Sequence, residues 1–371
     1  MARKAAPQHT QASAPAPVVA GGLEAVVGHP AAVAQMLAWC AGGEPPHAVL
    51  LIGPEGVGKT ALALRFASQL LGAGSWPGGV AAHPDCFIDD SDESSIGIDQ
   101  VRGTDESPGL RTLFGERPFT PGFRVAVLAR AERLTEAAAN ALLKVLEEPP
   151  EQSVILLCAT AAERLPATIR SRCQGIQLGS VPVPAVSHWL TEQGVATESA
   201  QLCAAVSGGR PGRALRLARD TSQLSEEMGW VSAFLGAGRN GAEGALRAAR
   251  QVAPASSGAG FVTAREQVAV WTQVMRDVAC VQSGVADLVT WTPFAPAIQE
   301  WAERLSVSQV MEALRALAKL GDELSRNAMP LLAYEVLFLR FFGGSHAMPT
   351  PSPELCQPQL GAFQPAGRGL G

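Results

Sequence analysis

Between residues 48 and 178, short apolar runs recur, separated by segments whose apolar residues return every three or four positions. The runs Ala48–Ile52, Cys86–Ile88, Arg124–Leu128, Val154–Ala159 and Gly175–Leu178 predict five strands. The longer runs are nearly unbroken in apolar residues, as expected of strands covered on both faces. Thr60–Leu71 and Glu136–Glu148 predict helices. In the second, Ala139, Leu142, Leu143 and Leu146 fall at helical spacing, and Pro149-Pro150 stops it. Strands alternating with helices imply a mostly parallel, doubly wound α/β sheet.

After residue 180 the pattern becomes wholly helical. Val181-Pro-Val-Pro184 reads as a linker into short helices, followed by longer ones, of which Gln309–Leu320 and Leu331–Phe342 are the most periodic. The Ala/Gly-rich stretch Gly236–Gly260 reads as either a weak helix or a mobile connection. The expected division is a tail over 1–22, an α/β base over 23–180, a small helical lid over 181–220, a helical C-terminal domain over 221–342 and a tail over 343–371. Both tails are rich in Pro and small residues and are expected to be disordered, because they bury too little to offset ordering entropy.

Composition narrows the classes. A hydrophobic fraction of 47% supplies packed cores, and no apolar run approaches the ~18 residues that span a bilayer. The first 22 residues lack the apolar core of a secretory signal. Asp+Glu outnumber Lys+Arg by 34 to 29, whereas an autonomous nucleic-acid binder is usually basic. A single tyrosine and 5% aromatics argue against a base-stacking platform. Seven widely spaced cysteines without a Cys-x-x-Cys fit reduced thiols and a cytoplasmic location. His83 and Cys86 have ligand-like spacing but no second pair, so no zinc site is expected.

The sharpest local signal is Gly53-Pro-Glu-Gly-Val-Gly-Lys-Thr60, which matches G-x-x-x-x-G-K-[ST] between a predicted strand and a predicted helix. Gly53, Gly56 and Gly58 let backbone N–H groups curl around phosphates at a helix N-terminus. Lys59 is expected at the β/γ-phosphates and Thr60 at magnesium. The same loop can also bind nucleotide, or keep its shape, without hydrolysing anything. That alternative gains weight at the third strand. Its end is where a hydrolysing enzyme carries an Asp for magnesium and a Glu for the attacking water, and here Ala129 and Arg130 stand. Glu132, two residues on, is expected to be a solvated or helix-capping charge.

Other features point to no chemistry. Glu147-Glu148 are adjacent on a helix and point apart. No Ser carries a nucleophilic triad. Trp271, Trp291 and Trp301 read as core or subunit-contact residues.

The block Ala138-Ala-Asn-Ala-Leu-Leu-Lys-Val-Leu-Glu-Glu-Pro-Pro150, then Ile155-Leu-Leu-Cys-Ala-Thr160 and Leu165-Pro-Ala-Thr-Ile-Arg-Ser-Arg-Cys173, resembles the bacterial clamp-loader family of AAA+ proteins. His83-Pro-Asp85, Ile98-Asp-Gln-Val-Arg102, Arg210-Pro-Gly-Arg-Ala-Leu215 and the run from Arg326 to Leu337 fit the same pattern. The similarity extends from about Leu23 to Phe342. It implies an α/β AAA+ P-loop base, a helical lid and an all-helical C-terminal collar domain.

By that resemblance Arg172 is the arginine finger, acting on ATP held by a neighbouring subunit. A guanidinium suits this work, being always charged and forked. Thr160 falls at the position called sensor 1. The sensor-2 arginine is missing: its place aligns with Gly212, one residue before Arg213. Relatives with a four-cysteine zinc module carry it between the first helix and His-Pro-Asp. Here that segment, Gly72–His83, has no cysteine.

The resemblance therefore implies a stator-like subunit of the DNA polymerase III clamp loader, with weak ATP or ADP binding and little or no ATPase activity. Implied partners are tau/gamma and delta subunits, the sliding β-clamp, and primed DNA through the complex. Two alternatives remain open: a tau/gamma-type motor that hydrolyses ATP, and an interaction scaffold with a vestigial P-loop.

Overall fold

The computed structural model describes residues 21–42, 44–90, 95–104, 109–115, 117–344 and 347–359. The chain divides into two compact units, one running to Val186 and including Gly209–Arg213, the other comprising Ser187–Gly208 and the chain from Ala214 onward. This differs from the expected boundaries at 180 and 220. The lid residues do not stand apart in the packing: Gln273 of the C-terminal helices donates to the carbonyl of Val206 (3.4 Å).

The first unit contains β1 (Ala48–Ile52), β2 (Cys86–Asp89), β3 (Arg124–Leu128), β4 (Ser153–Ala159) and β5 (Gln174–Gln177). All pairings are parallel, in the order β2-β3-β4-β1-β5. Helices α1 (Pro30–Cys40), α2 (Lys59–Leu70), α3 (Ile98–Arg102), α4 (Leu110–Gly115), α5 (Glu136–Glu147) and α6 (Ala167–Arg170) accompany it. Side chains on a strand alternate between faces. Val49 and Leu51 accordingly join a core with Met36, Leu62 and Phe66, while Ala48 and Leu50 join one with Leu142, Leu146 and Ile169. Every residue of β3 and β4 is buried, which explains their unbroken apolar runs. Thr135 caps α5 by accepting from the N–H of Ala138.

The segment without the cysteine module forms two short 3-10 turns, Ala73–Ser75 and Gly79–Ala82, which bury Ala73 and Val80. Trp76 packs on the His83 ring (4.6 Å between centroids) and donates to Ala82 O. Asp85 is buried and accepts from Phe119 N (2.7 Å), Thr120 N (2.8 Å) and Thr120 Oγ1 (2.8 Å), which fixes the approach to β3.

The second unit is helical. The chain passes through α7 (Val183–Glu192), α8 (Thr197–Val206), α9 (Pro211–Arg219), α10 (Thr221–Gly236), α11 (Gly241–Val252), α12 (Gly258–Gln282), α13 (Ala295–Arg304), α14 (Val307–Ser325) and α15 (Pro330–Phe342). Its centre is aromatic: Phe234 stacks on Trp271 (5.4 Å) and meets Trp301, Phe338 and Phe342 within 6.0 Å. Trp271, Trp291 and Trp301 are fully buried. Two buried polar side chains at this core are hydrogen-bonded, which offsets the cost of their desolvation. Tyr334 donates to Gln267 Oε1 (2.7 Å), and Asp277 accepts from Thr290 N, Thr290 Oγ1 and Trp291 N. The Ala/Gly-rich stretch resolves into α11, tied to α15 by an Arg250–Glu335 ion pair (2.8 Å).

The C-terminal segment corrects the expectation of a disordered tail from residue 343. Residues 347–359 lie along the second unit as a strap. Trp301 Nε1 donates to Pro349 O (2.6 Å), Arg239 to Pro353 O, Arg304 to Thr350 O, and Gln359 N to Pro293 O. Met348 and Cys356 are buried. Proline density misled the sequence reading: an extended strap needs only a few apolar anchors and donors reaching from the helices. Residues 360–371, and residues 1–20 of the other expected tail, lie outside the described residues. Leu23 is fully buried, and Arg65 donates to Gly21 O and Gly22 O (both 2.8 Å).

Deleting residues 347–371 strips Trp301 of its acceptor and uncovers apolar surface worth about 1.5–3 kcal/mol per large side chain. The expected outcome is a urea midpoint lowered by more than about 2 kcal/mol of stability, read by tryptophan fluorescence. An unchanged midpoint contradicts the structural role of the strap.

Candidate nucleotide site

Parallel order places the end of β1 between β4 and β5, at the carboxyl edge where ligands gather in open α/β sheets. The loop leaving β1 is fixed on both sides: Gly53 N donates to Ala159 O (3.1 Å), and Leu178 N donates to Ile52 O (2.7 Å). A Cβ at Gly53 would lie 2.2 Å from the carbonyl oxygen of Leu178, so only glycine fits. Gly56 and Gly58 have φ of +77° and +111°, conformations that glycine adopts freely. The loop then feeds directly into α2.

Lys59 is buried, and its ammonium donates to Gly53 O (2.7 Å) and Pro54 O (3.0 Å). Burial lowers its pKa from the usual lysine value, while Cys158, Glu132 and Glu55 pull it back up. Burial pushes the Cys158 thiol up to about 12, opposed by the nearby Lys59 ammonium. Two further contacts brace the loop. His29 Nε2 donates to Val57 O (3.0 Å), and Gly212 N donates to Gly56 O (2.8 Å). The second packs the start of α9 so closely that a Cβ on Gly56 would lie 3.0 Å from Arg213 N.

Ala129 follows β3 as a buried methyl whose N–H donates to Asp89 O (2.9 Å). Arg130 turns to Asp90 (3.6 Å). Neither offers oxygen to a metal. The loop thus fits a nucleotide's phosphates, while the positions that normally serve magnesium do not fit it. Among the described residues no group of three or more His, Cys, Asp or Glu could hold a metal.

Glu132 departs from its expected solvated or capping role. It sits in the turn Ala131–Arg133, and Oε1 accepts from Thr160 N (3.3 Å). Glu132 Oε2 and Thr160 Oγ1 are both buried and lack a hydrogen-bond partner among the described residues. Helix-end logic missed this because a short turn, unlike a longer helix, carries residue 132 back toward the end of β4. His29 was missed too, since nothing in its local sequence marks a loop 28 residues away.

Arg172 lies apart from this loop, between α6 and edge strand β5. It pairs with Glu147 at the end of α5 (2.9 Å) and donates to Thr168 O (2.9 Å). The structure therefore brings Gly53, Gly56, Gly58, Lys59, Thr60 and Thr160 to one sheet edge and holds Arg172 outside that group.

Sheet order and phosphate loop define an α/β P-loop fold with a helical C-terminal part. Residues 28–182 match the family described as DNA polymerase III, delta subunit. DNA polymerase III subunit delta' of Pseudomonas aeruginosa is 37% identical over 188 residues, 46% of this chain and 55% of that protein. Its Escherichia coli counterpart is 33% identical over 190 residues, 47% and 55% respectively. The Escherichia coli subunit tau is 33% identical over 211 residues, 51% of this chain and 32% of tau. The chain thus resembles delta', with tau and gamma subunits also similar, and spans about half the length of the delta' relatives it matches. A gamma subunit-related protein of Thermotoga maritima has a similar structure at a TM-score of 0.43 and 20% identity, covering 82% of this chain and 98% of that one.

Because burial raises the pKa of Cys158 well above that of a free thiol and the residue is fully enclosed, it should resist a thiol reagent at pH 8 in the native protein and react only after unfolding. Peptide mass mapping checks this. Labelling of native Cys158 at the rate of an exposed thiol contradicts the enclosed geometry.

Proposed function

We propose that this chain is a stator-like subunit of a DNA polymerase III clamp loader. It binds ATP or ADP weakly, hydrolyses little or none, and donates Arg172 to ATP on a neighbouring subunit. One observation carries the reading: an intact phosphate loop stands beside Ala129 and Arg130 instead of the two carboxylates that hydrolysis needs, in a base domain that resembles delta'. Loss of a water-orienting group alone removes roughly 10²–10⁴ in rate. The proposed partners are tau/gamma and delta subunits, with the sliding β-clamp and primed DNA met through the complex, in the cytoplasm. Among the described residues no helix is long and apolar enough to cross a membrane.

Assembly through the C-terminal helices is part of the proposal. Leu332 and Val336 lie one turn apart on α15, and Met329 precedes them; they are 55%, 69% and 54% exposed. Such a stripe on an otherwise well-packed unit suits a subunit contact. Changing Leu332 and Val336 together to Asp should leave the melting temperature within about 3 °C, because exposed positions rarely carry stability, yet abolish co-purification with tau/gamma and delta subunits. Normal co-purification contradicts the collar assignment. The similarity to tau supports the second reading, a motor subunit, which Ala129 opposes.

The finger is tested by Arg172→Ala in the reconstituted complex. The exposed pair with Glu147 is worth no more than about 1 kcal/mol, so assembly should survive. Arginine fingers given in trans are worth roughly 10³–10⁵ at the site they serve. With several ATP sites, total DNA-stimulated ATPase should fall partly and clamp loading more steeply. Unchanged activity in both assays reduces Arg172 to a structural residue.

A further inference from the structure

His29 stands at the N-cap of α1 with φ +57° and ψ +43°. These are left-handed values, which a residue with a side chain keeps only where its surroundings impose them. Its side chain makes no capping bond to α1, a task that Asn, Asp, Ser or Thr does well. The ring leaves its own helix instead, and Nε2 donates to Val57 O at 3.0 Å. The bend that aims it begins at Gly28, which has φ +74° and where a Cβ would lie 2.5 Å from the buried side chain of Val181. The strained backbone thus accompanies a contact with the phosphate loop, not with the helix.

Other carbonyls of the loop are held from elsewhere: Gly53 O and Pro54 O accept from Lys59, and Gly56 O accepts from Gly212 N. The peptide joining Val57 to Gly58 depends most on such a tether. Gly58 has φ +111°, and a Cβ there would meet nothing within 4 Å among the described residues, so side-chain packing at Gly58 does not fix the rotation of that peptide. A trans peptide is planar, with its C=O and N–H pointing in opposite directions. With the carbonyl turned to His29, the Gly58 N–H is directed to the other side of the loop. There it joins the first N–H groups of α2, which have no acceptor within the helix.

We propose that His29 is a positioning residue for phosphate recognition: its imidazole N–H locks the Val57–Gly58 peptide so that the Gly58 N–H faces a bound phosphate. The imidazole itself does not touch the nucleotide. Its contribution lies in a donor of the right reach, and capping of α1 is given up for it. The inference rests on the nucleotide-binding part of the proposed function.

Two substitutions that differ by a single methylene separate reach from capping. His29→Asn tolerates the left-handed backbone and caps helices well, but its amide is too short to reach Val57. His29→Gln is the poorer cap, yet its amide nitrogen stands as many bonds from Cα as Nε2 of His. The full chain is titrated calorimetrically with ADP, and hydrogen exchange of the peptide covering residues 53–60 is followed in the nucleotide-free protein. The ADP Kd should weaken about three- to ten-fold in His29→Asn, the size of one neutral hydrogen bond, and stay within about two-fold of wild type in His29→Gln. Exchange of the loop should quicken in His29→Asn alone, although its melting temperature is no lower than that of His29→Gln. Wild-type affinity in His29→Asn overturns the inference, and so does an equal loss in both variants, which reduces the ring to packing; nucleotide binding itself stands in either case. No heat from wild type at millimolar ADP overturns the nucleotide-binding reading and the inference together. His29→Asn, the residue best suited to this backbone, decides the matter even if His29→Gln misfolds.

Discussion

The constraint on which the site depends is the crowding of the loop after β1 between two neighbouring strands. Gly53 is bonded to the end of β4 and pressed against the carbonyl of Leu178 beyond β5, with no room for a side chain. Parallel pairing of β1 with both neighbours creates that crowding, and their buried faces sustain it. The same pairing brings Thr160 to the loop and places Arg172 beside the edge strand. One topological choice therefore separates the glycine-rich loop from the Arg172 guanidinium.

Within that frame the chemistry is subtractive. The cradle, Lys59 and Thr60 are kept, while the end of β3 carries a methyl and a guanidinium bound to Asp90. In the proposed function the loop holds phosphate, and the neighbouring strand end decides whether holding leads to cleavage. A P-loop motif alone therefore cannot distinguish a motor from a stator.

Much of this was legible in the sequence. Strands β1, β3 and β4 were readable because strands covered on both faces are almost wholly apolar, whereas β5 is mostly exposed and left a weaker apolar run; α5 was readable because Leu142 and Leu146 recur before a double proline. The loop was readable because its glycines are dictated by backbone geometry. The misses share a different cause. The strap over 347–359 is held by acceptors on its own backbone and by donors on distant helices, which composition does not reveal. Glu132 and His29 act through contacts 28 residues away in sequence, made only once the sheet has formed. The packing of α8 with the C-terminal helices is likewise a tertiary fact, invisible to the proline-rich linker that suggested a boundary.

The central claim is that the chain holds a phosphate cradle without the means to use it. Steady-state phosphate release from the isolated chain, compared with Lys59→Ala, tests this most directly. The account predicts that both proteins release phosphate at the background rate. Turnover at the ~1 s⁻¹ or faster typical of enzymes, abolished by Lys59→Ala, would contradict it.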